Sequence, residues 1–175
     1  MRTAAVLLIW LTVAVPVARG ADWLNWRKVG DATLTWGPFT VYNSQLLTPQ
    51  GLYSGPQQDQ ALIITYKRTI DRDDLVEATR DQWQAQGVLA REPQSEAWLR
   101  MLTTLWPDVT TGTQLAFVQN GGQGQFWYRA SAAQKTFIPL GPRQSDAFSA
   151  SFLGIWLDPR TQYPELRRQL TGGLK

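Results

Sequence analysis

The sequence predicts one α+β domain in which helices cover one face of a largely antiparallel sheet. Segments with strand character and segments with helical periodicity come in blocks, as three strands, two helices, about three strands and two helices. No internal repeat, low-complexity segment or linker interrupts this order. The length of the chain is also typical of one domain with a core of its own.

The first twenty residues (1–20) have the features of a removable signal peptide. They combine a basic start, an almost wholly apolar run over 4–17, and the small residues Ala18 and Gly20 before a cleavage site. The apolar run is shorter than the roughly 20 residues that cross a bilayer. We therefore expect residues 21–175 to form an exported, periplasmic domain. The alternative is an uncleaved N-terminal anchor, which also places the domain outside the cytoplasm.

Three strands open the domain. Residues 32–36 and 39–47 have strand character and flank the turn-forming pair Gly37 and Pro38. A polar loop rich in proline and glycine follows. Residues 61–67 are then so rich in β-branched and aromatic side chains that they predict a strand covered on both faces.

Two helices follow in the middle of the chain. Apolar residues recur at helical spacing between Asp71 and Gly87, and acidic residues fill the first turn. A second helix is expected to begin near Ser95 and to end at Pro107. Its wide apolar face is typical of a helix that lies on a sheet.

The second half of the chain repeats the pattern of strands before helices. Strands are expected at 114–119, 125–129 and 136–140, and the glycine-rich segment Asn120–Gly124 predicts a hairpin turn between the first two. It does not predict a phosphate loop, because no lysine or helix start follows it.

The last two helices have clear start and stop signals. Ser145 or Asp146 caps a helix that ends at Asp158 and Pro159. Pro164 begins a final short helix, whose leucines form its buried side.

The composition excludes several classes of chemistry. The chain has no His and no Cys, so serine and cysteine proteases of the usual kind, His-ligated metals and disulfides are excluded. Without Arg2 and Arg19, 15 basic and 14 acidic residues remain, scattered along the chain, which argues against nucleic-acid binding. The acidic group at Asp71, Asp73 and Asp74 lacks the glycine and glutamate of a calcium loop. We predict no metal and no cofactor.

Several segments, taken in order, resemble a known family. The most specific is Phe148–Pro159, with the sequence FSASFLGIWLDP, followed by Pro164–Arg167 and Leu170–Gly172. These segments are similar to the C-terminal helices of the exported bacterial branch of the chalcone isomerase-like superfamily. Val29–Tyr42 resembles its opening strand pair. The resemblance implies an open-faced β-sandwich with a cleft between the sheet and the helices.

The resemblance also implies where the catalytic residues of the plant isomerases would fall. Their first-strand arginine has no counterpart, because no Arg or Lys lies between Lys28 and Tyr66. The position of their helix-opening tyrosine corresponds to Asp73 or Asp74 in this chain, so that tyrosine is not matched. Thr40 lies near the position of the family threonine. An enolate or phenolate would lack its cationic partner. We therefore expect a non-catalytic protein, the alternative being an isomerase or intramolecular lyase with an unidentified ligand.

A cleft in this fold would be lined by aromatic and apolar side chains. Such a lining suits an apolar or amphipathic ligand, either fatty acid-like or aromatic. Lys67 or Arg68 is expected to meet an acidic head group. The alternative for the aromatic residues is that they form plain core. The predicted ligand-binding residues are Thr40, Tyr42, Tyr66, Lys67, Trp98, Leu102, Trp106, Phe117, Phe148 and Phe152.

Trp23 and Trp26, next to the expected cleavage site, suggest a third class of function. Exposed tryptophans favour protein interfaces or the bilayer surface, so a periplasmic protein-interaction module is a further possibility. The alternative is that this segment folds back over the domain.

Overall fold

A computed structural model describes residues 22–173. The predicted signal peptide lies outside the described residues. Within them, no helix is both long enough and apolar enough to cross a membrane.

The sheet has six antiparallel strands, each hydrogen-bonded to its neighbour in the sequence. Together with the helices it makes an α+β fold, so the predicted fold class is confirmed. The first strand is longer than predicted and begins five residues earlier, and the sixth is shifted toward the C-terminus. The strands are β1 (Arg27–Trp36), β2 (Phe39–Thr48), β3 (Gln60–Tyr66), β4 (Gln114–Asn120), β5 (Gln123–Arg129) and β6 (Ile138–Gln144).

The helices lie between β3 and β4 and after β6, as predicted. The short α2 was not expected. It follows Gly87, whose φ of 74° allows the chain to turn between α1 and α2. The described helices are α1 (Arg72–Ala85), α2 (Val88–Arg91), α3 (Ser95–Leu105), α4 (Asp146–Leu157) and α5 (Pro164–Leu170), preceded by a 3₁₀ turn at Asp22–Asn25.

The helices α1 and α4 begin with different kinds of cap. Ser145 caps α4 as predicted, because its hydroxyl accepts a hydrogen bond from the Phe148 N–H at 3.2 Å. Asp71 precedes α1 as predicted but makes no side-chain cap. Instead Asp108, distant in the sequence, accepts a hydrogen bond from the Arg72 N–H at 2.8 Å. The start of α1 is therefore tied to the loop before β4.

The main core lies between the sheet and the helices, on what we call the front face. Its centre is a cluster of aromatic rings from β4, β5 and α4. Phe148 is fully buried, and its ring centroid lies 5.5 Å from that of Trp98 and 5.9 Å from that of Trp83. Edge contacts of this kind add to the free energy gained from burial alone.

The last helix packs on the first strand through a close backbone contact. A Cβ atom on Gly30 would stand 2.1 Å from the carbonyl oxygen of Gln169 and 2.8 Å from that of Leu170. Only glycine lets α5 approach β1 this closely. This contact closes the front core at one edge of the sheet.

The opposite, back face of the sheet carries a smaller apolar cluster over β3 and β4. Trp23 is 4% exposed and lies on this face, with ring centroids 5.0 Å from Phe137 and 6.0 Å from Trp127. Trp26 packs against the same cluster. The segment after the expected cleavage site thus folds back over the domain, and Trp23 is not available to a partner. As predicted, β3 is covered on both faces.

Candidate functional site

A cavity of about 170 Å³ lies between the sheet and the helices on the front face. Strands β1 to β5 form its floor, and its walls come from α1, α4, Ile70 before α1, Trp106 after α3 and Tyr163 before α5. The lining residues are Leu34, Val41, Tyr42, Leu62, Ile64, Tyr66, Ile70, Asp74, Leu75, Ala78, Thr79, Gln82, Trp106, Leu115, Ala116, Phe117, Phe126, Phe152, Ile155, Trp156 and Tyr163.

The cavity opens along one side of α1. Asp74 and Ala78 line it and are exposed, whereas Thr79 on the same helix is buried. The Thr79 hydroxyl is used locally, since it donates to the Leu75 carbonyl oxygen at 2.9 Å. Ala78 and Thr79 have small side chains, so they leave a void between α1 and the sheet. Elsewhere in the core, aromatic side chains fill the corresponding space.

Two tyrosines from neighbouring strands stand in the floor. Tyr42 and Tyr66 pair across β2 and β3, with ring centroids 6.1 Å apart. The Tyr42 hydroxyl accepts a hydrogen bond of 2.8 Å from the Trp156 indole N–H. Burial raises the pKa of both hydroxyls well above the ordinary value for tyrosine, so both are neutral at physiological pH.

Two other polar atoms of the lining are buried without a hydrogen-bond partner in the described part of the chain. They are the side-chain carbonyl oxygen of Gln82, an acceptor, and the indole N–H of Trp106, a donor. The amide nitrogen of Gln82 is paired, since it donates to the Tyr163 hydroxyl at 3.1 Å. Buried polar atoms are normally satisfied, so unpaired ones in a cavity wall call for an explanation.

The charge of the lining is almost nil. Asp74, at the exposed rim, is the one charged residue among the lining residues of the described chain. No Lys or Arg from residues 22–173 lines the cavity. The cavity is therefore apolar in its floor, neutral in its interior and negative at its mouth.

The structure divides the ten predicted ligand-binding residues into three groups. Five line the cavity: Tyr42, Tyr66, Trp106, Phe117 and Phe152. Three are packed in the core away from it: Trp98, Leu102 and Phe148. The remaining two, Thr40 and Lys67, line a separate surface depression.

The wall formed by α1 was not predicted. Leu75, Ala78, Thr79 and Gln82 recur at spacings of three and four, which places them on one face of the helix. That spacing is the available sequence signal. The spacing marks the buried side of a helix, and it is the same whether that side meets packed core or the wall of a cavity.

The surface depression lies beside the turn between β1 and β2. Lys67 and Arg68 lie there and do not line the cavity, so neither cation meets an acidic head group held inside the cavity. The Arg68 guanidinium carbon lies 5.1 Å from the centroid of the Phe39 ring. The depression is lined by Thr33, Pro38, Phe39, Thr40, Asn43, Lys67 and Arg68.

No cluster of three or more potential metal-binding His, Cys, Asp or Glu side chains occurs within residues 22–173. None of the known protein-family models matches the chain. An uncharacterized protein of Haemophilus influenzae is 25% identical over 176 residues, an alignment that covers all of this chain and 79% of that protein.

Proposed function

We propose that this protein binds a compact, uncharged and largely apolar small molecule in the front-face cavity. The observation that carries the proposal is a neutral apolar cavity whose walls hold an unpaired donor and an unpaired acceptor, at Trp106 and Gln82. Sites for small molecules combine an apolar lining with a few polar groups in this way.

The size of the cavity limits the ligand. An engineered apolar cavity of about 150 Å³ holds one benzene molecule, and pockets for drug-sized ligands measure roughly 300–1,000 Å³. At about 170 Å³, the cavity matches a single ring or a short branched chain. A long acyl chain or a flavonoid would require α1 to move away from the sheet.

The charge of the cavity favours a neutral ligand. Moving an unpaired carboxylate from water into an apolar site costs several kcal/mol or more, which no hydrogen bond from a neutral group repays in full. No cation lines the cavity in the described residues, and Asp74 at the rim repels an anion. An acidic ligand, one of the expectations from the sequence, is therefore disfavoured.

The unpaired polar atoms favour a ligand with both hydrogen-bonding functions. Both atoms lie just behind the cavity surface, so a small side-chain shift would let the Trp106 N–H donate to an oxygen of the ligand and the Gln82 oxygen accept from a hydroxyl or an N–H. A hydroxyl group does both. A ring or short chain that carries a hydroxyl group matches these two atoms in the kind of hydrogen bond it offers.

A relationship to the chalcone isomerase-like superfamily and export to the periplasm are also part of this proposal. The order of elements and the position of the cavity between sheet and helices support the relationship. A non-catalytic role is supported by the lining, since an enolate or phenolate formed there would have no cationic partner among the described residues.

The test uses phenol and benzyl alcohol as neutral probes, and benzoate and palmitate as acidic ones. Titration calorimetry on the protein beginning at Ala21 should show binding of the neutral probes alone. Native mass spectrometry of protein isolated from its own cells, followed by extraction, would then identify a resident ligand. Ala78→Leu narrows the mouth and should weaken phenol binding by at least about tenfold.

Ala85→Leu is the matched control, because Ala85 lies on the same helix, is exposed and does not line the cavity. It should bind phenol like the unchanged protein. Failure of both neutral probes to bind, or equal binding by the two leucine variants, would overturn the proposal. Binding of benzoate in preference to phenol would overturn its charge argument.

A further inference from the structure

The turn between β1 and β2 presents two large aromatic side chains to solvent. Trp36 is 74% exposed and Phe39 is 56% exposed, and the two residues pair across the hairpin. Side chains of a cross-strand pair project from the same face, so the rings form one patch. Gly37, with a φ of 57°, and Pro38 hold the turn between them. We call residues 36–39 the hairpin tip.

Such exposure requires an explanation, because each of these side chains gains free energy when removed from water. The other large apolar side chains in the described chain that are exposed to this degree, Leu52 and Ile138, stand singly. At the hairpin tip the two rings stand together on a narrow turn.

A positively charged depression adjoins the hairpin tip. Phe39 belongs to both, and Lys67 and Arg68 supply the charge. Hydroxyl and amide groups from Thr33, Thr40 and Asn43 complete the lining, which contains no acidic residue. The acidic group at the start of α1, Asp71, Asp73 and Asp74, does not line it. The depression therefore offers cationic and neutral hydrogen-bonding groups to an anion.

We propose that the hairpin tip and the depression together dock this protein on the surface of an anionic phospholipid bilayer, with Trp36 and Phe39 in the headgroup region and Lys67 and Arg68 against the phosphates. Tryptophan prefers the interface between the headgroups and the hydrocarbon. Basic residues near an anionic surface each add to the attraction. This inference goes beyond the proposed function and does not depend on it.

The small area of the tip favours a bilayer over a protein partner. Two aromatic side chains bury roughly 150–250 Å² each, whereas a stable protein interface takes about 800 Å² from each partner. A narrow convex tip matches a soft surface that closes around it. Amphipathic helices that lie in the membrane interface use the same combination of aromatic and basic residues.

The docking surface is continuous with the cavity. Leu34 and Val41, which line the cavity, lie on the two strands of the same hairpin, two residues from Trp36 and Phe39. Docking by the hairpin tip would hold the β1–β2 side of the cavity near the bilayer. An apolar ligand dissolved in the membrane would then have a short path to it.

The test measures binding to phosphatidylcholine vesicles with and without phosphatidylglycerol, by sedimentation and by tryptophan emission. The experiment uses protein that begins at Ala21, because the apolar run before this residue would bind vesicles by itself. This protein keeps both core clusters, which lie within Trp23–Leu170. Binding is expected only with phosphatidylglycerol, with a shift of the emission to shorter wavelength. Salt should weaken it.

Four variants assign the contributions. Trp36→Ser should weaken binding about tenfold, and Lys67→Gln and Arg68→Gln about fivefold each. Leu52→Ser is the apolar control, since Leu52 is 70% exposed and lies beyond the opposite end of β2. These residues are exposed, so the variants should fold normally, which circular dichroism checks.

Each outcome decides the matter. Equal binding to both kinds of vesicle, or unchanged binding by Trp36→Ser, would overturn the proposal. So would an effect of Leu52→Ser as large as that of Trp36→Ser. If the protein binds free inorganic phosphate but not the vesicles, the depression is an anion site and docking is refuted.

Discussion

The two ends of the front-face interface use the same kinds of residue to opposite effect. At the packed end, Trp83 from the last turn of α1, Trp98 from α3 and Phe148 from α4 pack edge to face, with ring centroids 5.5 to 5.9 Å apart. At the cavity end, α1 lies over β1, β2 and β3, and the buried aromatic residues Tyr42 and Tyr66 line the cavity. Aromatic content therefore does not distinguish a binding site from a core in this protein.

What distinguishes the two ends is the size of the facing side chains and the state of the polar atoms. At the packed end, the Trp83 indole N–H donates to the Ser151 carbonyl oxygen at 3.0 Å. At the cavity end, the small residues Ala78 and Thr79 line the cavity, and the Gln82 side-chain oxygen and the Trp106 N–H have no hydrogen-bond partner among the described residues. The packed end therefore contributes most to stability, whereas the cavity end leaves a void and two polar atoms without hydrogen bonds.

The largest expected difference between the ends comes from truncating an aromatic ring in the packed end. Phe148→Ala should lower the free energy of unfolding by about 3–5 kcal/mol, because Phe148 is fully buried among other rings. Leu34→Ala, in the half-buried wall of the cavity, should cost less than about 1.5 kcal/mol. Urea unfolding measures both. Equal losses would contradict the division into a packed end and a cavity end.

A smaller effect is expected from the hydrogen bond between two residues of the cavity lining, Trp156 and Tyr42. Tyr42→Phe removes the acceptor of the Trp156 indole N–H and leaves that donor unpaired in a buried site. The expected loss is about 1–3 kcal/mol at neutral pH. The measurement is again urea unfolding, with phenol titration as a second readout. A loss below about 0.5 kcal/mol would mean that Trp156 finds another acceptor, and that the cavity wall rearranges easily.

The order of elements was predictable because each has a strong local signal. The turn at Gly37 and Pro38, the helix start at Ser145 and the hairpin at Asn120–Gly124 depend on residues close in sequence. The first two stand as predicted, and the hairpin is present with a shorter turn, because Asn120, Gln123 and Gly124 pair in the strands. The cap of α1 was not predictable in this way. Its acceptor is Asp108, which reaches Arg72 only after the chain has folded.

The site was predictable only in part, for a physical reason. An aromatic residue on the front face has the same sequence signature whether it meets another ring or a void. Trp98, Leu102 and Phe148 meet other core residues, and Phe117 and Phe152 meet the void as well as the core. The void itself comes from small side chains on α1, whose consequence depends on how far the helix stands from the sheet.

The two floor tyrosines give the finest comparison, because one is hydrogen-bonded and the other is not. The Tyr66 hydroxyl makes no hydrogen bond within the described residues, and burial raises its pKa far above the ordinary value of about 10. A raised pKa means that the folded state holds the proton when the unfolded state has released it. The free energy of unfolding is then unaffected below pH 10 and falls as the pH rises from about 10 toward the raised pKa, by about 1.4 kcal/mol per pH unit for each such tyrosine.

Tyr66→Phe should therefore change stability by less than about 1 kcal/mol at pH 7, since no hydrogen bond is lost. Well above pH 10, its stability should fall less steeply than that of the unchanged protein, by about 1.4 kcal/mol per pH unit, because one buried hydroxyl no longer resists ionisation. Urea unfolding at closely spaced pH values measures the two slopes. Parallel curves for Tyr66→Phe and the unchanged protein would mean that water reaches the Tyr66 hydroxyl, and that the floor of the cavity is wet.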